Sequence, residues 1–136
     1  MKSLIAPAAA FVLAACAAAP NAAPAPSGQW RIVRIGGQAL PESSRASLEF
    51  DAAEKRFSGY ADCNRLFGGY EQNGRTLRFS AVASTLMMCE PEQMAREQAL
   101  SRALENTAAY SLDSRTLKLL DQQGNTLVEA ENAAKP

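Results

Sequence analysis

Bulky apolar and polar side chains alternate over residues 29–35 and stop at Gly36-Gly37. This predicts a half-buried strand, with Trp30, Ile35 and either Ile32 or Val33 on its inner face. Residues 47–50 repeat the alternation on a shorter scale, and a turn through residues 51–54 leads into residues 56–60, which are predicted to pair back on them. Asn73-Gly74 is the strongest turn signal in the chain. Both residues tolerate positive φ, so residues 69–72 and 75–79 are predicted to form a hairpin.

The period changes after Pro91. Proline at the first helical position loses no hydrogen bond, and Glu92 complements the helix dipole. Ala99, Leu100, Ala103, Leu104 and Thr107 then recur at three- and four-residue spacing, with Arg96, Glu97 and Arg102 toward or beyond the edge of that stripe. Three short strands follow at 110–113, 116–121 and 125–130, separated by turn residues at 113–115 and 122–124, and residues 131–136 are expected to fray. Strands, one helix and strands again predict an α+β domain. Its mostly antiparallel sheet has about seven or eight short strands curled toward a barrel, with the helix on one side or plugging one end.

The N-terminal stretch has a different character. Lys2 is followed by an alanine-rich apolar run over residues 4–12, too short for a permanent membrane span and suited to a secretory signal. The run ends in Leu13-Ala14-Ala15-Cys16, which looks like a bacterial lipobox, so residues 1–15 are read as a lipoprotein signal peptide and Cys16 as the lipidated residue; the alternative is an ordinary signal peptide cut at a small-residue site such as Ala17-Ala18-Ala19, which leaves Cys16 without a role. Ala17, by resemblance to enterobacterial lipoproteins, implies sorting to the outer membrane. Residues 16–27, with Pro20, Pro24 and Pro26 among alanines, read as an extended tether, which leaves residues 28–136 as the domain.

Acidic and basic residues balance at 14 each, and removing the signal peptide deletes only Lys2, leaving the mature chain near one net negative charge. With no basic run, the sequence gives nucleic-acid binding no support. There are three cysteines and no histidine. With Cys16 lipidated, Cys63 and Cys89 remain as a pair in an oxidising compartment. A bridge between them closes a loop of about 25 residues, worth on the order of 3 kcal/mol. A redox pair or a metal site are the alternatives. Met87, Met88 and Met94 near Cys89 offer soft ligands for Cu(I), although such methionines more commonly fill a core.

Trp30 with Ile35-Gly36-Gly37, Phe57-Ser58-Gly59 leading to Cys63-Asn64, Gly69-Tyr70 and Ser84-Thr85-Leu86-Met87-Met88-Cys89 together resemble the META domain family, which includes the HslJ-like heat-inducible lipoproteins of Gram-negative envelopes. The resemblance extends over residues 29–129, including Glu97, Leu100 and Leu104 in the helix. Asp62 departs from it, because a glycine is common before this cysteine; the position is expected to need an unusual backbone angle, which Asp tolerates. The family implies a periplasm-facing envelope protein associated with stress and antibiotic tolerance, with no established catalytic residues; together with the anchor at Cys16 the chain reads as a non-enzymatic outer-membrane lipoprotein without a cofactor.

Candidate binding residues are Tyr60, Asn64, Phe67, Tyr70 and Thr85: aromatics flanked by glycines, plus two polar groups beside the cysteines. Core packing for the aromatics and local backbone bonding for Asn64 compete with that reading. Ser84 and Thr85 lack a histidine base and would depend on Lys55 or Lys118, and Asp51, Asp62 and Glu71 have no glycosidase-like spacing. The expected partners are a membrane, through the lipid on Cys16, and an envelope protein. The alternatives are a periplasmic protease inhibitor using an exposed loop at 65–70 or 84–88, and a thiol-redox or copper-handling protein.

Overall fold

The computed structural model describes residues 3–5, 7–12 and 24–133. Cys16, the lipobox and most of the expected tether therefore lie outside the described residues. Among those described, no helix is long and apolar enough to cross a membrane.

The chain forms β1 (Gly28–Ile35), β2 (Gln38–Ala39), β3 (Ser47–Asp51), β4 (Arg56–Tyr60), β5 (Arg65–Asn73), β6 (Thr76–Ser84), α1 (Pro91–Asn106), β7 (Ala109–Leu112), β8 (Thr116–Leu120) and β9 (Thr126–Asn132). The nine strands among the described residues belong to one antiparallel sheet, and pairing of β1 with β9 closes it into a ring. The thinnest seam joins β6 to β7 through a single pair, Thr76 with Ala109. The helix is inserted in the chain at that seam and packs against β6, β1, β8 and β9.

Its apolar stripe behaves as its spacing predicts: Leu100, Ala103, Leu104 and Thr107 are buried and Ala99 is half-buried. They complete a core built from the alternate residues of the strands, including Ile32, Leu48, Leu66, Leu77, Leu117 and Val128. Burial of this apolar surface is the main force holding the ring shut.

Several boundaries differ from the sequence expectation. A register shift between Ile32 and Arg34 in the β1–β9 pairing resolves the competition on β1: Ile32 and Ile35 both face inward and Val33 lies half-buried at the bulge. The two-residue β2 has both side chains exposed and so carried no apolar signal. The β5–β6 hairpin is longer than predicted and bulged between Phe67 and Gly69. Gly68 is required there, since a Cβ at this position would stand 2.6 Å from the Ser80 carbonyl oxygen. Residues 131 and 132 do not fray. Glu131 pairs with Arg31 across the closing seam, with an ion pair of 3.0 Å, because β9 must run to its end to shut the ring.

The last four residues of the stretch expected to be a tether are packed on the domain. Pro26 is fully buried, the Pro24 carbonyl accepts from Tyr110 Oη at 2.9 Å, and the Ser27 carbonyl accepts from Trp30 Nε1 at 3.0 Å. The chain thus enters beside Gly28, at the end of the ring where Gly28 pairs with Phe50. The loops at 40–46, 61–64 and 85–90 lie at the opposite end, where Tyr60 pairs with Ser47 and Arg65.

Candidate functional site

That opposite end is organised by the Cys63–Cys89 disulfide, whose Cα atoms are 5.8 Å apart. It joins the turn after β4 to the segment before α1, two pieces of chain that share no strand pairing of their own. Cys63 is buried and Cys89 is partly exposed.

Next to the bridge, Asn64 is 5% exposed and every side of its amide is engaged. Its Oδ1 accepts from the Met87 N–H at 2.6 Å and from Thr85 Oγ1 at 2.9 Å. Its Nδ2 donates to the Met87 carbonyl at 3.1 Å and to Glu97 Oε2 at 3.4 Å, while its backbone N–H donates to Glu97 Oε1 at 2.6 Å. The Thr85 hydroxyl in turn accepts from the Arg65 N–H at 3.1 Å. One side chain therefore ties the 85–87 segment and the helix to the turn after β4. Leaving the buried Asn64 amide groups unpaired would cost about 1–3 kcal/mol, more than the roughly 1 kcal/mol that an ordinary hydrogen bond contributes.

Asp62 supports the same turn from the other side. Its φ of +71° lies in the left-handed region, in line with the backbone angle expected at this departure from the family pattern. The carboxylate accepts from Ser44 Oγ at 2.5 Å, from the Arg45 N–H at 2.7 Å and from Arg96 Nη1 at 2.6 Å. Burial acts to raise its pKa, but the Ser44, Arg45 and Arg96 hydrogen bonds and the Arg96 charge outweigh it. The carboxyl therefore sits below its ordinary value. A cleft of about 500 Å³ opens beside this pair, walled by Pro41, Ser43, Glu90, Glu92 and Gln93.

The five candidate residues do not form one surface. Asn64 and Thr85 are brought together. Tyr60 and Phe67 lie on the outer face of the neighbouring strands β4 and β5, half-buried and 37% exposed respectively. Tyr70 faces inward instead: it is 3% exposed and packs edge-on to Phe50 with ring centroids 5.4 Å apart. The strand alternation dictates this, since Leu66, Gly68 and Tyr70 share the inner side of β5. Its hydroxyl finds no hydrogen-bond partner among the described residues.

Three contributors were missed by sequence reasoning: Ser44, and the helix residues Arg96 and Glu97 in their bonding roles. Arg96 and Glu97 lie near the edge of the helical stripe, and helical spacing alone could have flagged them only as a pair facing one side. The methionines also depart from expectation. Met87 and Met88 are 60% and 89% exposed and Leu86 is 95% exposed, so none of them fills the core. With Asn64 holding the backbone of Met87, these side chains are turned outward. Among the described residues no cluster of three or more His, Cys, Asp or Glu side chains could hold a metal ion.

The fold recurs in solved structures. A protein from Burkholderia xenovorans, solved by NMR, is 21% identical, with 79% of this chain and 83% of that chain covered at a TM-score of 0.61. A second NMR structure shares 24% identity, covering 76% of this chain and 87% of that chain at a TM-score of 0.60. A DUF4847 family protein from Bacteroides vulgatus is 18% identical over 80% of this chain and 95% of that chain, with a TM-score of 0.57. At these identities the likeness speaks for the fold alone. No curated protein matches the chain. The META domain model matches residues 23–134, a span that takes in the docked residues 24–27, the closed ring and the disulfide-bonded turn: the chain belongs to the META domain family.

Proposed function

We propose that this META domain is a non-enzymatic binding module, held on the periplasmic side of a Gram-negative outer membrane by a lipid on Cys16 and supporting the envelope under heat or antibiotic stress. The observation that carries the binding part is a contrast at the disulfide-bonded end. There the Asn64 amide, the Thr85 hydroxyl and the Asp62 carboxylate are taken up by internal hydrogen bonds, while Leu86, Met87 and Met88 stand in solvent. Polar groups committed to holding a backbone are poor candidates for general acid–base work, which needs a group free to exchange a proton. Runs of exposed apolar residues are selected against unless something binds them.

The anchoring part rests on Leu13-Ala14-Ala15-Cys16. The geometry accords with it: the chain enters at one end of the ring and the apolar segment lies at the other. With a lipid on Cys16, that segment lies at the end of the domain remote from the point of attachment. Seven residues separate Cys16 from Pro24, a reach of roughly 30 Å at most. A thiol-redox or copper role has less support, because Cys63 and Cys89 are already joined and Cys63 is buried.

Two measurements test the proposal. The intact mass of protein extracted from membranes should carry acyl chains on Cys16, with Cys63 and Cys89 open to alkylation only after reduction. A photo-crosslinking amino acid at Leu86 or Met88 should capture a partner in intact cells, and the same group at Gln123 should not. Absence of a crosslinked species at both loop positions would remove the binding reading.

A further inference from the structure

Residues 85–90 contain no turn, bend or helix. The segment is extended, and its backbone polar groups alternate. The Thr85 N–H donates to the Arg65 carbonyl, and both the N–H and the C=O of Met87 are held by Asn64. In an extended chain the groups of Leu86 and Met88 must then point the other way, away from the domain. Neither residue makes a hydrogen bond among the described residues. The Leu86 and Met88 side chains stand clear beside these free groups, 95% and 89% exposed. Asn64 fixes the segment at Met87, and the disulfide fixes it at Cys89.

We infer that residues 85–89 form a substrate-like strand that occupies the cleft of a serine endopeptidase whose primary pocket accepts leucine or methionine. This rests on the binding-module reading above and names the partner. An extended peptide docks on such a surface by pairing alternate N–H and C=O groups while alternate side chains enter pockets, and this segment presents both, already ordered. The ties on either side point to an enzyme that cuts rather than to a partner that merely adds a strand. The bond placed for cutting is Met88–Cys89, because the Met88 carbonyl faces outward to an oxyanion hole while Asn64 holds that of Met87. After hydrolysis the new end at Met88 follows directly on Met87, which Asn64 grips, and the new end at Cys89 stays joined to Cys63, the neighbour of Asn64. Both products remain in place, and the segment continues to fill the cleft.

The test follows hydrolysis of a fluorogenic peptide by purified chymotrypsin and by subtilisin, each titrated with the full chain. At least one enzyme should be inhibited at near-stoichiometric concentration. The double variant Leu86→Asp/Met88→Asp should weaken that inhibition by about 100-fold or more, as expected for losing two apolar anchors. Both positions are exposed, so its thermal unfolding midpoint should match that of the parent. Inhibition of neither enzyme, equal inhibition by the double variant, or cleavage within residues 86–89 as fast as in a free peptide overturns the inference. Self-association through this segment, seen as a dimer by light scattering that the double variant abolishes, overturns it as well. Should the crosslinker at Leu86 capture a protein that is not a peptidase, the binding module stands and this inference falls.

Discussion

The Asn64 side chain grips both backbone polar groups of Met87, accepting from its N–H at 2.6 Å and donating to its carbonyl at 3.1 Å. An amide mimics one residue of a neighbouring strand in this way, so the 85–89 segment stays extended where the sheet itself has ended. Replacing Asn64 by Ala strips these bonds and the Nδ2 donor to Glu97 Oε2, while the backbone N–H still donates to Glu97 Oε1. The expected loss is about 1–3 kcal/mol of stability in urea denaturation. Faster hydrogen exchange at the Met87 amide should accompany it. Unchanged exchange there would show that the disulfide alone orders the segment.

The disulfide and Asn64 hold the same piece of chain, so their effects should not add. Replacing Cys63 and Cys89 together by Ala is expected to cost on the order of 3 kcal/mol, from the loop that the bridge closes in the unfolded chain. Combining this with Asn64→Ala should cost less than the two losses together, since each change releases the segment that the other also holds. A double-mutant cycle by chemical denaturation checks this, and strict additivity would place the two restraints in independent parts of the fold.

Much of this arrangement could be read in the sequence, and the unread part has a physical reason. Alternation fixed the inner faces of most strands because one side of each is buried, and three- and four-residue spacing found the helix face. Asp62 and Arg96 are 34 residues apart and Asn64 and Glu97 are 33 apart, so only closure of the ring brings them together. Arg96 and Glu97 carry the composition of a solvated helix edge, and nothing local distinguishes such an edge from a bonded one. The direction of Met87 and Met88 was equally hidden. It is set by a side chain more than twenty residues away that holds the backbone, not by the apolar character of the methionines.

Asp62 gives a pH dependence with a definite sign. Its folded pKa lies below the unfolded value, so its ion pair and hydrogen bonds contribute fully above the unfolded carboxylate pKa of about 4. That contribution declines as pH falls from there through the folded pKa. Asp62→Asn keeps a residue that tolerates φ of +71° and removes the charge beside Arg96, so it isolates the electrostatic part. The expected cost near neutral pH is about 2–3 kcal/mol, because both side chains are largely shielded from water and Arg96 loses its partner. The gap between parent and variant should narrow as pH drops below about 4 in urea titrations. A gap that is constant down to the acid limit would assign the loss to packing instead.

Two tyrosines face the core and should respond oppositely to loss of the hydroxyl. Tyr70 Oη is buried without a hydrogen bond among the described residues, and burial, followed by the charges of Asp51 and Tyr110, pushes its pKa up, so it stays protonated through the neutral range. Tyr70→Phe keeps the edge-on contact with Phe50 and removes only the unsatisfied group. Stability should therefore hold or rise by up to about 1 kcal/mol. Tyr110 Oη accepts from Gln72 Nε2 at 3.0 Å and donates to the Pro24 carbonyl at 2.9 Å. Tyr110→Phe should cost about 0.5–1.5 kcal/mol and loosen the docked Pro24 end, making it more open to proteolysis. Thermal denaturation of the two variants side by side decides the matter, because only Tyr110→Phe is expected to lower the midpoint. A destabilised Tyr70→Phe would mean that its hydroxyl is bonded in solution.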